Sequence, residues 1–134
     1  MAPNLLFSRF SRFSALFLWT ARACLLAAIG VTLRFAFGPP GAGPPLLPWD
    51  KAEHVLAFFT LASLAFVALP RLPVVWVGLG LSLFGAVIEI IQGTPLVHRD
   101  CDVWDWVADT VAVLSVMAVL AAARLRAWLV VART

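Results

Sequence analysis

The chain has 134 residues and a formal net charge of +3, and is 63% hydrophobic against 13% charged. Its mean hydropathy of +0.98 exceeds what a soluble core of this length can hide, so lipid must replace water around much of the surface. The length allows one domain. The basic balance (pI about 9.7) does not indicate a nucleic-acid partner, because the arginines sit at the chain ends and in one short turn instead of forming a stripe.

Residues 1–12 carry Arg9 and Arg12 and little else that is informative. An apolar run from Phe13 to Phe37 follows, interrupted by Arg22 and Arg34. A cleaved signal peptide with Ala21-Arg22-Ala23 as its site is the rival reading. The run resumes after Arg22 and is long enough to span, which favours a retained helix. Gly38 to Pro48 (GPPGAGPPLLP) excludes helix and strand, since proline removes donors and glycine adds chain entropy, and reads as a stiff loop. A second helix is expected over 52–69, with Asp50 placed to cap it. Pro70-Arg71-Leu72-Pro73 is a tight turn, and a third helix runs from 73 to 92 with proline tolerated at its start. The fourth helix is expected over 102–123. The tail 124–134 (RLRAWLVVART) mixes three arginines with Trp128 and valines and reads as interfacial. Cys24 and Cys101 lie too far apart in this scheme to form a disulfide.

Four runs of about 18–25 residues are each the length a bilayer core requires, so the fold expected is all-α, a four-helix transmembrane bundle. An even count of spans puts both termini on one side. Arg9, Arg12, Arg71, Arg124, Arg126 and Arg133 share that side, which the positive-inside rule makes cytoplasmic. Trp76 and Trp128 would mark the inner interface, and Trp49, Trp104 and Trp106 the outer one.

The stretch Gly85 to Ala112 (GAVIEIIQGTPLVHRDCDVWDWVADTVA) concentrates the ionisable groups of an otherwise apolar chain. With the expected topology, Asp50, Lys51, His54, Glu89, Gln92, Arg99, Asp105 and Asp109 fall in one outer-leaflet layer, together with Arg34 and Asp102. Asp102, Asp105 and Asp109 step by three and four along one helical face, as do Lys51, His54 and Phe58. Gly78, Ser82 and Ala86 form a small-residue stripe that allows close helix approach and continues to Glu89. Acids at this depth are costly facing lipid, so Glu89 and Asp109 should face the bundle and find partners. Each residue also has an ordinary structural use: Asp50 and Lys51 as cap and anchor, His54 as a hydrogen-bonder, Glu89 and Asp109 as helix-to-helix links, Arg99 as a loop charge. Arg22 alone lies elsewhere, and should snorkel inward or find an acid.

Asp50-Lys51-x-x-His54-x-x-x-Phe58-x-x-Leu61, followed by Glu89-x-x-Gln92, Arg99 and Asp105-x-x-x-Asp109, resembles the VanZ-like family of small bacterial membrane proteins, named for a protein associated with teicoplanin resistance. The likeness covers roughly residues 49–116. Phe58 stands where that family usually has tyrosine, Asp109 where asparagine is common, and Ala112 where glycine is usual. The resemblance implies a multi-pass protein of the bacterial cytoplasmic membrane with a link to glycopeptide resistance. The residues themselves leave two functions open. One is a site for an anionic cell-envelope ligand, a lipid-linked cell-wall intermediate or a lipid headgroup, with Arg99, Lys51 and Arg34 around it. The other is a membrane-embedded enzyme using His54, Glu89 and Asp109 as acid/base groups or divalent-metal ligands. No spaced metal signature such as His-Glu-x-x-His is present, no serine or cysteine has an evident base partner, and no cofactor is expected.

Overall fold

Uninterrupted apolar sequence with strong helix formers and few glycines satisfies its backbone internally only as helix, and four helices result. A computed structural model describes residues 5–38, 49–97 and 99–132, with side chains from residue 14 onward. The helices are α1 (Leu5–Phe37), α2 (Asp50–Ala68), α3 (Val74–Gln92) and α4 (Val103–Val131). All four are long and apolar enough to cross a membrane. The proline-rich stretch 39–48, His98, Arg133 and the side chains of Arg9 and Arg12 lie outside the described residues.

Two helix boundaries differ from the sequence reading. The first helix begins at Leu5 instead of residue 13, and the fourth does not stop at residue 123 but continues through the arginine-bearing tail to Val131. At 1.5 Å per residue, α2 and α3 are each about 28 Å long and α4 about 43 Å. Asp50 is the first residue of α2 and not its cap: Trp49 holds the cap position without a side-chain bond, while Asp50 Oδ1 accepts the Lys51 N–H at 2.9 Å.

α2 is the hub of the bundle. It touches the other three helices, whereas α1 and α4 share no contact among the described residues. Two small cores fill the contacts. Ala21, Leu25, Leu61, Ala65, Ala68 and Val77 pack toward the α2–α3 turn. Phe58, Ala62, Ile88, Ala112, Val113 and Val116 pack toward the opposite end, with Phe58 and Phe84 rings 6.1 Å apart. Most other large apolar side chains point outward, including Phe17, Trp19, Leu83, Ile90 and Val119. A surface so broadly apolar suits lipid and not water.

Small residues set the helix spacing, as in membrane bundles generally. The close approach of α3 to α4 falls at Gly78 and Gly85. A methyl group on Gly85 would lie 2.7 Å from Asp109 Oδ2 and 3.2 Å from Phe58 Cζ. The stripe is therefore Gly78, Ser82, Gly85 and Glu89; Ala86, the residue expected from the sequence, is half-buried beside it. Ser82 reinforces the contact, its Oγ 2.8 Å from Thr110 Oγ1.

Arg22 acquires an explanation. Its Nε donates to the Ala68 carbonyl at 3.2 Å, and its guanidinium lies 5.1 Å from the Trp19 ring centre. The last carbonyls of a helix have no partner within it and carry partial negative charge, so an arginine reaching them both bonds and neutralises. Its counter-charge is the end of α2 and not an acid.

Candidate functional site

The N-terminal turns of α2 and α4 and the C-terminal turn of α3 meet at one end of the bundle. Gly93 ends α3, and its N–H returns to the Glu89 carbonyl at 3.1 Å. The connection then folds back so that the Arg99 N–H reaches the Gln92 carbonyl at 3.4 Å. This short return brings Asp102 beside Glu89, whose Oε2 accepts the Asp102 N–H at 3.0 Å.

Asp102 has three jobs in this arrangement. As N-cap of α4 its Oδ1 accepts the Trp104 N–H at 2.9 Å; its own N–H goes to Glu89; and its Oδ2 accepts Lys51 Nζ at 2.7 Å. The Lys51 ammonium holds the Asp102 carboxyl below the usual carboxylate range. Lys51 also donates to Asp105 Oδ1 at 2.8 Å, so one cation from α2 joins two acids at the start of α4. Asp50 stays at the exposed rim, 3.6 Å from the same ammonium.

His54 lies one turn deeper. Its Nδ1 is 3.0 Å from Asp109 Oδ1, and its Nε2 is 3.6 Å from Asp105 Oδ2. Asp109 is 0% exposed and Glu89 4%, and each keeps one buried oxygen without a hydrogen-bond partner: Asp109 Oδ2 and Glu89 Oε1. Such orphaned atoms are uncommon in folded proteins, and a proton, a water molecule or a cation would satisfy them.

The structure thus brings Lys51, His54, Glu89, Asp105 and Asp109 together with Asp102. It places Gln92 and Arg99 differently. Gln92 is buried but turns to α1, its Nε2 donating to the Ala36 carbonyl at 3.0 Å. Arg99 makes no ion pair with the acids of α4 among the described residues, and lines an adjoining pocket of about 100 Å³ with Thr32, Phe35, Glu53, His54, Ile88 and Gln92. Arg34 is exposed and outside that lining. Trp106 is half-buried and more than an interfacial anchor, since its indole N–H donates to the Ser82 carbonyl at 3.1 Å.

His54 is the hinge between the two halves of the site. One side faces the acids of α4 and the other faces the pocket between α1, α2 and α3. A second cavity, of about 190 Å³, shares Thr32, Phe35, Glu53 and Ala57 with the first and continues past Ala28, Val31, Leu56 and Thr60. Together they form a trough between α1 and α2, polar at the Arg99 end and mainly apolar beyond.

A scan against protein-family models finds no match to this chain, and searches of curated proteins and of solved structures find none either. Fold and site define the class to which the protein belongs by physical character: an all-helical chain with four candidate membrane spans and a polar cluster at one end of the bundle.

Proposed function

We propose that the chain is a VanZ-like protein of the bacterial cytoplasmic membrane that binds an anionic amphiphile of the cell envelope. The ligand class is a lipid-linked cell-wall intermediate or a phospholipid, its headgroup at Arg99 and its chain along the α1–α2 trough. The observation that supports this reading is the continuity of a polar pocket, lined by Arg99, His54, Gln92 and Glu53, with a mainly apolar groove. A phosphate pairs well with a guanidinium, and the groove offers its hydrocarbon a surface matched to it. Lys51 is already engaged by Asp102 and Asp105, and His54 by Asp109, so the headgroup falls to Arg99. A part in glycopeptide resistance is what the family resemblance adds.

The test is lipid retention by the purified chain in nanodiscs, read by native mass spectrometry with phosphatidylglycerol or polyprenyl phosphate against phosphatidylcholine. Anionic lipid should be retained preferentially. Arg99→Gln should weaken retention roughly tenfold, the effect of losing one charge-assisted hydrogen bond. Ala28→Trp should block the trough, and Arg34→Gln should change nothing. Equal retention of all three lipids, or by Arg99→Gln, sinks the reading; a chemically altered lipid would point to the enzyme instead.

The topology proposed is N-in and C-in, with the site outward. It is supported by Arg71, Arg124 and Arg126 lying toward the end away from the acids. Cys101 is exposed in the α3–α4 connection, and Cys24 lies within the α1 span. A membrane-impermeant maleimide added to intact cells should label Cys101 and spare Cys24. Labelling of Cys101 only after permeabilisation would place the site inside.

A further inference from the structure

His54, Glu89 and Asp105 come from three different helices, and one ligating atom of each lies within 4.8 Å of the others. Each of the three also has its other polar atom held by a partner. His54 Nδ1 is held by Asp109 at 3.0 Å, Glu89 Oε2 by the Asp102 N–H at 3.0 Å, and Asp105 Oδ1 by Lys51 at 2.8 Å. What is left over is one uncommitted atom per residue. Nε2 of His54 stands 3.6 Å from Asp105 Oδ2, too far for a hydrogen bond, and Glu89 Oε1 is buried without a partner.

This is how proteins prepare metal ligands. A coordinating histidine gives its second nitrogen to a carboxylate, which fixes the ring and raises its basicity, and coordinating carboxylates are hydrogen-bonded in turn. The charge balance points the same way. Glu89, Asp102, Asp105 and Asp109 face one lysine and one histidine, and among the described residues the ion pairs of the cluster come from those two alone. An excess of carboxylates in a poorly hydrated site is relieved by protons or by a bound cation, and three uncommitted ligand atoms from three helices suit the cation.

We infer that His54, Glu89 and Asp105 form a binding site for a divalent transition-metal ion, with Asp109 orienting the histidine. One imidazole and two carboxylates suit zinc, manganese or iron(II) better than calcium or magnesium, which prefer oxygen alone. Three ligands at about 2.1 Å from one ion stand about 3.0–3.6 Å from one another, so the widest pair, within 4.8 Å here, closes by about 1 Å on binding. Asp109 takes a supporting place here and Asp105 a coordinating one. The site does not depend on a ligand in the α1–α2 trough, although His54 borders both.

The full-length chain, purified in detergent without added lipid and stripped with chelator, is titrated with Zn²⁺ by calorimetry and with Mn²⁺ by electron paramagnetic resonance. One ion per chain is expected. The Mn²⁺ spectrum should carry the modulation of a directly bound imidazole nitrogen. His54→Gln, Glu89→Gln and Asp105→Asn should each weaken binding at least tenfold, and Asp109→Asn by roughly 10–100-fold through the histidine. Asp100→Asn, which removes an exposed acid from the same connection, should leave affinity within about twofold. If a variant fails to fold, the wild-type spectrum decides, because nitrogen coordination is read without any substitution. Absence of saturable binding, absence of the nitrogen modulation, or an equal loss in Asp100→Asn would overturn the inference. Performed without lipid, the titration fails or succeeds separately from the lipid-retention test.

Discussion

Gly85→Ala is expected to cost about 3 kcal/mol of stability, the upper end of the range for overpacking a filled core. The added methyl would sit 2.7 Å from Asp109 Oδ2, 3.3 Å from Asp109 Cβ and 3.2 Å from Phe58 Cζ. Neither neighbour has anywhere to go, since Asp109 is 0% exposed and Phe58 2%. Relief therefore requires α3 and α4 to separate, which pulls Asp109 from His54 and loosens the acid cluster as well as the core. Gly78→Ala is the matched control. Its methyl would meet mainly the sulfur end of Met117, an unbranched side chain that can swing aside, so the cost should stay below about 1 kcal/mol. Reversible unfolding in mixed detergent micelles measures both. An equal gain of stability in both variants would mean that helix propensity, and not the α3–α4 contact, governs the stripe.

The same stripe shows what the sequence could and could not disclose. Four apolar runs between proline-bearing breaks announce four helices, because span length and helix breakers are local signals. Helix ends are less local. Ala121 to Val131 is composed of good helix formers, so α4 propagates past the point where Arg124 and Arg126 mark a change of environment. Likewise α1 begins eight residues before the sequence reading placed it. Steps of four from Gly78 through Ser82 lead to Ala86; the 3.6-residue period instead favours Gly85, which completes the steps 78, 82, 85 and 89.

The polar cluster was legible to the extent that it depends on spacing and depth. Lys51 with His54, and Asp102 with Asp105 and Asp109, lie on shared faces, and the connection is too short to carry Asp102 far from Glu89. The order of helices around the bundle is absent from such patterns. That order sends Gln92 to the Ala36 carbonyl and Arg99 to a pocket that α1 helps to line. Asp102 carried a readable signal as the N-cap of an apolar helix, yet its contacts to Lys51 and Glu89 are tertiary. Arg22 was opaque for the same reason: its partner is a backbone carbonyl 46 residues away.

Asp109 gives the second large effect, and its two variants should diverge. Asp109→Ala removes a fully buried side chain, leaves a cavity between Gly85 and Phe58, and strips His54 Nδ1 of its acceptor. A loss of about 2–4 kcal/mol is expected from cavity and unpaired ring together. Asp109→Asn keeps the volume and one oxygen for His54, and exchanges an orphaned acceptor for a neutral amide, so its cost should stay within about 1 kcal/mol. Phe58 allows the orphaned oxygen itself to be tested. Its ring apex and Asp109 Oδ2 both crowd the point where a Gly85 methyl would stand, so the hydroxyl of Phe58→Tyr would emerge beside an acceptor that lacks a donor. Phe58→Tyr should stabilise the wild-type background by about 1 kcal/mol and should not stabilise Asp109→Ala. Unfolding of the four proteins of this cycle, in one detergent, measures the coupling. An equal effect of the hydroxyl in both backgrounds would mean that it finds no partner in Asp109.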